Sequence, residues 1–124
     1  MMKSDPIILI VDDDPDLLDM YQEVIVIEGV KTMTALSPKL ALECCKNNPG
    51  IQVIISDAHM GDISGVDLLK SLKDYYETIP VFYLLTGAFD IKEEDIIKEG
   101  ARGLILKPFD LNEILERIKK DIKF

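Results

Sequence analysis

Four short segments carry polar side chains just past apolar runs. Asp12, Asp13 and Asp14 follow Ile7–Val11, Asp57 follows QVIIS, Thr86 and Gly87 follow PVFYLL, and Lys107-Pro108 follows Gly103–Leu106. Carboxylates gathered at one place repel one another, and their pKa values spread unless a cation intervenes. An all-oxygen donor set suits a hard cation, and Mg²⁺ in particular takes one or two carboxylates together with phosphate oxygens. A carboxylate beside such a cation can attack a phosphoryl group and form an acyl phosphate. The charge that develops needs donors, for which a lysine ammonium and a threonine hydroxyl are the right types. Each residue also has a plainer reading. Asp14, before Pro15, reads as a helix cap, and capping also competes for Asp12 and Asp13. Asp57 alone is a loop aspartate, Thr86 a strand-end hydroxyl and Lys107 a solvated lysine.

The chemistry needs a fold that brings these segments together. Ile7–Val11 reads as a strand buried on both faces. Asp14-Pro15 opens a helix with Leu17, Tyr21, Val24 and Glu28 on one side, widened by Leu18 and Ile25 and ended by Gly29. Residues 31–36 form a weaker strand. Ser37-Pro38 repeats the cap-then-proline signal before a helix carrying Ala41, Cys44 and Cys45. After the strand 52–56, Ser64 caps a helix with Leu68, Leu69, Leu72 and Tyr76 inward. Residues 80–85 are the fourth strand. Asp90 with Glu93 has capping-box spacing, and Gly100 stops that helix. Residues 103–106 are the fifth strand. Asp110 with Glu113 opens a last helix striped by Leu111, Ile114, Leu115, Ile118 and Ile122. Five strand–helix units predict an α/β fold: a doubly wound five-stranded parallel sheet, flavodoxin-like, with strand order 2-1-3-4-5. In such sheets ligands bind beyond the carboxyl ends of the strands, where the four polar segments fall.

The 124 residues, 48% hydrophobic and 30% charged, predict one globular domain over 1–124. With 23 acidic and 14 basic residues the net charge is −9, which argues against nucleic acid and anionic membrane as partners of this domain. The adjacent Cys44 and Cys45 have no other cysteine to pair with, as expected in a reducing cytoplasm. With His59 the only histidine, zinc lacks ligands, and His59 itself reads as a loop residue. The start, MMKSDPIILIVDDDPD, is neither a signal peptide nor a membrane span.

With these segments in order, the sequence resembles the receiver domain of bacterial response regulators, the phospho-acceptor domain of two-component systems. ILIVDDDPDLL resembles the family's first strand and acidic pair, and IISDAHMGDISGVDLL its acceptor strand and glycine turn. LLTGAFD and GLILKPFD resemble its switch-hydroxyl and lysine segments. The resemblance implies that Asp57 accepts a phosphoryl group from a phosphohistidine on a sensor kinase or phosphotransfer protein. It implies that Asp12, Asp13, Asp57 and the backbone carbonyl of His59 hold Mg²⁺, that Thr86 bonds the phosphoryl oxygen, and that Lys107 pairs with its charge. A cis Lys107–Pro108 bond is implied too, and no catalysis beyond the domain's own phosphorylation and dephosphorylation. The fourth helix, fifth strand and fifth helix would form the signalling surface and a possible homodimer contact, with Lys92, Glu93, Glu94, Lys98, Arg117, Lys119 and Lys120 on its helices.

Three positions depart from the family pattern: Gly61 where proline is common, Gly87 where alanine is usual, and Leu104 where an inward-swinging aromatic stands. Leu104 and Gly61 keep open a second reading, an interaction module not switched by phosphate. A flavin site would need a Ser/Thr/Gly-rich phosphate loop where the acidic run stands. An aspartate-nucleophile phosphatase is matched only in the spacing of Asp12 and Asp14. The fifth helix runs to the end of the sequence, which leaves open a stand-alone receiver and a piece of a longer regulator or hybrid kinase.

Overall fold

The computed structural model describes residues 6–27, 29–60, 63–87 and 91–122. The elements are β1 (Ile7–Val11), α1 (Pro15–Ile27), β2 (Lys31–Ala35), α2 (Pro38–Asn47), β3 (Ile51–Asp57), β4 (His59–Met60), β5 (Ile63–Ser64), α3 (Gly65–Tyr75), β6 (Val81–Thr86), α4 (Glu93–Lys98), β7 (Gly103–Leu106) and α5 (Leu111–Asp121). β2, β1, β3, β6 and β7 form one parallel sheet in that order. Counting only these five strands, the order is the expected 2-1-3-4-5. β4 and β5 make a small antiparallel ladder between β3 and α3, which the sequence pattern does not anticipate because two residues are too few to show alternation.

The sheet has two cores because successive strand residues point to opposite faces. Leu9, Ile54, Phe82 and Leu84 meet Ala41, Cys45, Leu68, Leu69, Leu72 and Ile96 of α2, α3 and α4. Ile8, Ile10, Val53, Ile55, Tyr83 and Leu85 meet Leu18, Tyr21, Ile25, Ile114, Leu115 and Ile118 of α1 and α5. Both faces are covered, so the strands read as continuous apolar runs.

Caps set where the helices begin. Asp14 Oδ1 accepts from the N–H of Asp16 and Leu17, Ser37 Oγ from Leu40, and Asp110 Oδ1 from Asn112. Ser64 caps α3 in a reciprocal box with Asp67. α4 differs from expectation: its N-cap is Lys92, with no side-chain cap, and Asp90 lies outside the described residues. Three acidic residues in its first turn favour the positive end of the helix instead. On α1 the stripe is rotated, with Leu18, Tyr21 and Ile25 buried and Leu17 and Val24 only half-buried; Glu28 is outside the described residues. Tyr76 sits just past α3, half-buried, and its hydroxyl donates to the Cys45 carbonyl at 3.3 Å. Cys45 is buried and Cys44 half-buried, and burial pushes both thiols up, so neither is a poised nucleophile. No described helix is long and apolar enough to cross a membrane.

Ile118 is fully buried at the α5–sheet contact. Ile118→Ala is expected to cost about 2–5 kcal/mol, read as a lower urea midpoint in a single cooperative transition.

Candidate functional site

β1 and β3 are neighbours, but the chain leaves β1 toward β2 and returns past it to β3, so the sheet's order reverses between them. The carboxyl ends of β1 and β3 carry Asp12 and Asp57. The strand ends are registered by backbone bonds: Asp12 N–H to the Ala35 carbonyl (3.1 Å), Ala58 N–H to Leu85 (2.8 Å) and Lys107 N–H to Thr86 (2.8 Å). These bonds bring residues far apart in sequence to one edge.

There, carboxylate oxygens of Asp12, Asp13 and Asp57 all lie within 4.8 Å of one another. Asp12 is 2% exposed and Asp57 7%, whereas Asp13 is exposed. Lys107 Nζ stands 2.9 Å from Asp57 Oδ1. Thr86 is fully buried at the end of β6, and the Lys107–Pro108 bond is cis. Asp14 serves as the α1 cap and turns its amide to Asp12 Oδ1 at 2.9 Å. His59 is exposed on β4. Gly87 leaves ordinary room, since a Cβ there would meet only Lys107 Cβ at 3.8 Å. Gly61 lies outside the described residues.

The electrostatics fit a cation. Among the described residues, Asp12 Oδ2 is buried without a hydrogen-bond partner. Burial raises the Asp12 pKa above its ordinary value, the charges of Asp57 and Asp13 raise it further, and the Asp14 amide and Lys107 pull the other way. A buried, unpaired carboxylate oxygen beside two more carboxylates is costly by itself and becomes favourable around a hard divalent ion.

Two features of the site are missed by the sequence pattern. Gly65 opens α3 directly against the end of β3, where a Cβ would collide with the Asp57 carbonyl oxygen and stand 2.7 Å from Leu84 Cδ1. The expected signal was weak, because a glycine after a capping serine looks like part of a turn. Tyr21 lies close enough that burial, then the charges of Asp12, Asp57 and Asp14, push its phenol up to about 12. Its spacing on α1 shows only that it faces the core.

A family model described as the response regulator receiver domain matches residues 8–119. The chain belongs to that family. This receiver domain is 32% identical to the response regulator SaeR of Staphylococcus aureus (strain USA300) over 111 residues, which is 90% of this chain and 48% of SaeR. It spans about half the length of the curated relatives it matches. A crystal structure of a receiver domain protein from Clostridium thermocellum superposes with a TM-score of 0.87 at 28% identity, covering 94% of each chain. A receiver protein from Pseudomonas putida shares the fold, with a TM-score of 0.88 at 24% identity over 96% of this chain and 99% of its own.

Away from the acidic edge, α4 and α5 flank the outer strand of the receiver domain. Glu93 Oε2 accepts from the Leu104 N–H at 2.9 Å and lies 4.0 Å from Arg117 Nη2. The Arg117 guanidinium stands 5.0 Å from the centre of the Tyr83 ring, over Gly103, where any Cβ would collide with it. The Tyr83 hydroxyl donates to Asp121, which also pairs with Arg102 at 2.7 Å. At the far end of α4, Glu99 meets Lys73 of α3 at 2.6 Å, and that ammonium holds its carboxyl below the usual range. Leu104 is half-buried against the α2–α4 core.

Two measurements follow from this geometry. Gly65→Ala is expected to destabilise by about 1–3 kcal/mol, since the Asp57 carbonyl it would strike is backbone and cannot swing away. In metal-free protein the raised Asp12 pKa means that its charge weakens the fold at neutral pH, and that the penalty disappears as pH falls toward 3.8. Asp12→Asn in chelator at pH 7 is therefore expected to melt above the wild type. Added MgCl₂ should raise the wild-type Tm by mass action and leave the variant's unmoved. A variant that melts lower and still responds like the wild type refutes a cation site at Asp12.

Proposed function

We propose that this receiver is the phospho-acceptor of a two-component phosphorelay, in which Asp57 takes a phosphoryl group from a phosphohistidine on a sensor histidine kinase or a histidine phosphotransfer protein. The observation that carries this reading is the position of Asp57, near-buried, beside two further carboxylates on one side and the Lys107 ammonium at 2.9 Å on the other. Asp12, Asp13, Asp57 and, by the family pattern, the backbone carbonyl of His59 would hold Mg²⁺, whose charge would offset that of the carboxylates and the phosphoryl oxygens. An oxygen of Asp57 attacks phosphorus in line with the departing imidazole. The O–P bond forms as the N–P bond breaks, the bonding pair stays on the imidazole nitrogen, and Asp57 becomes an acyl phosphate. Lys107 follows the negative charge onto the new phosphoryl oxygens. The Thr86 hydroxyl moves to bond one of them, and that shift biases α4, β7 and α5.

On this reading the domain turns over no outside substrate and catalyses only its own phosphorylation and the hydrolysis that reverses it. The mixed-charge face of α4, β7 and α5 is the switched surface, facing a downstream partner or a second copy. A net charge of −9 is at odds with direct contact to nucleic acid or anionic membrane. A cytoplasmic location goes with the reading, and two free cysteines agree with it.

A phosphate-independent interaction module remains the second reading because of Leu104. Its amide is already held by Glu93, and its side chain has neither a hydroxyl nor a ring face to swing beside Thr86. Beryllium fluoride, which imitates the acyl phosphate, separates the two. Unmoved amide resonances in α4 and β7 would favour the module.

Intact-mass analysis after incubation with acetyl phosphate tests the main reading. One added phosphoryl group is expected, requiring both Mg²⁺ and Asp57 and absent in Asp57→Asn. A normal yield in that variant, still at an aspartate, sinks the site assignment.

A further inference from the structure

We infer that Tyr21 is a positioning residue for Lys107: its ring braces the segment that carries the ammonium. The inference rests on the phospho-acceptor reading and adds to it a residue outside the motifs.

Tyr21 is 4% exposed on the sheet-facing side of α1. Its ring centre lies 5.9 Å from that of Phe109, tilted by 38°, inside the range in which aromatic pairs attract. Phe109 is two residues past Lys107. The Lys107 amide is tied to Thr86 on one side, and Asp110 begins α5 on the other. Between those anchors the chain leans on α1 through the Phe109–Tyr21 contact.

The two rings also divide two environments. Beneath them is a dry pocket, with no room for water, whose floor includes Ile10, Ile55 and Leu85. Each of these stands one or two positions before Asp12, Asp57 or Thr86, so the rings roof the core just under the acceptor edge. Outside them is an open groove of about 630 Å³, where Leu17, Met20 and Val24 of α1 face residues 107–111. Without the Tyr21 ring, the segment after Lys107 loses its wall and can settle toward α1. The Lys107 backbone, held at the Thr86 carbonyl, sets where its four-carbon stem starts, so a shift of that backbone changes the reach the stem must span to keep its 2.9 Å contact with Asp57. A misplacement of about 1 Å in such a site can cost on the order of 100-fold in rate.

The phenol hydroxyl is not what the brace needs. The contact with Phe109 is made by the ring, and phenylalanine would fill the same place.

The test is the phosphorylation rate with acetyl phosphate at saturating Mg²⁺, followed by intact mass. The proteins are wild type, Tyr21→Phe, Tyr21→Leu, Lys107→Ala and the Tyr21→Leu/Lys107→Ala double variant. Tyr21→Phe is expected to stay within about twofold of wild type and Tyr21→Leu to fall about tenfold. The Mg²⁺-induced rise in Tm should survive in Tyr21→Leu, because the metal-facing aspartates are untouched. The double variant should be no slower than Lys107→Ala, since the ring acts only through that lysine. Losses that multiply, or a Tyr21→Phe protein as slow as Tyr21→Leu, overturn the brace. If Tyr21→Leu does not fold, Phe109→Leu enters the same cycle from the other ring, with the same two outcomes. Wild type that takes up no phosphoryl group overturns the acceptor reading and the brace with it. Wild type that is labelled, with Tyr21→Leu labelled equally fast, overturns the brace alone.

Discussion

Three carboxylates within a few ångströms repel one another, and burial makes the repulsion worse by removing the water that would screen it. The rest of the receiver domain is arranged so that this costly cluster persists. The sheet fixes the backbones of Asp12 and Asp57 through neighbouring strands, so these two carboxylates cannot drift apart to relieve the strain. Lys107 offsets part of the charge on Asp57, and the Asp14 amide satisfies one oxygen of Asp12. Among the described residues the other Asp12 oxygen has no hydrogen-bond partner. Stability given up there matches the usual exchange at functional sites, where an optimal fold and an optimal site differ.

The position of α3 belongs to the same arrangement. It starts in a reciprocal serine–aspartate cap and enters against β3 at a glycine. That close approach fills the space beside the end of β3 with backbone. The Asp57 carboxylate is thus backed by packed structure at the carboxyl end of β3.

Much of this was legible in the sequence. The apolar runs of β1, β3 and β6 and the Ser37, Ser64 and Asp110 caps are short-range signals, and they placed the elements to within a residue or two. The convergence of Asp12, Asp57, Thr86 and Lys107 followed from topology, because each stands at the same end of its strand. Less legible were features that depend on what lies opposite. The Tyr21–Phe109 contact joins residues 88 positions apart. The need for glycine at 65 arises from a carbonyl on another element. The start of α4 was misjudged because Asp90–Glu93 has the right spacing, whereas the helix begins one residue after Lys92 on dipole-matched acids alone. Pattern reports periodicity well and proximity poorly.

β7 is an edge strand, and an edge presents unpaired amides to which another chain's strand can add. In this domain the outward Leu104 amide is capped by the Glu93 carboxylate, reaching over from α4. At Leu104 the β7 edge is therefore closed by a side chain on a neighbouring helix. That protection lasts only while α4 keeps its place. Any rearrangement that draws α4 away also uncovers a backbone donor on the sheet's rim. The Glu93 carboxylate thus ties the position of α4 to the exposure of the Leu104 amide.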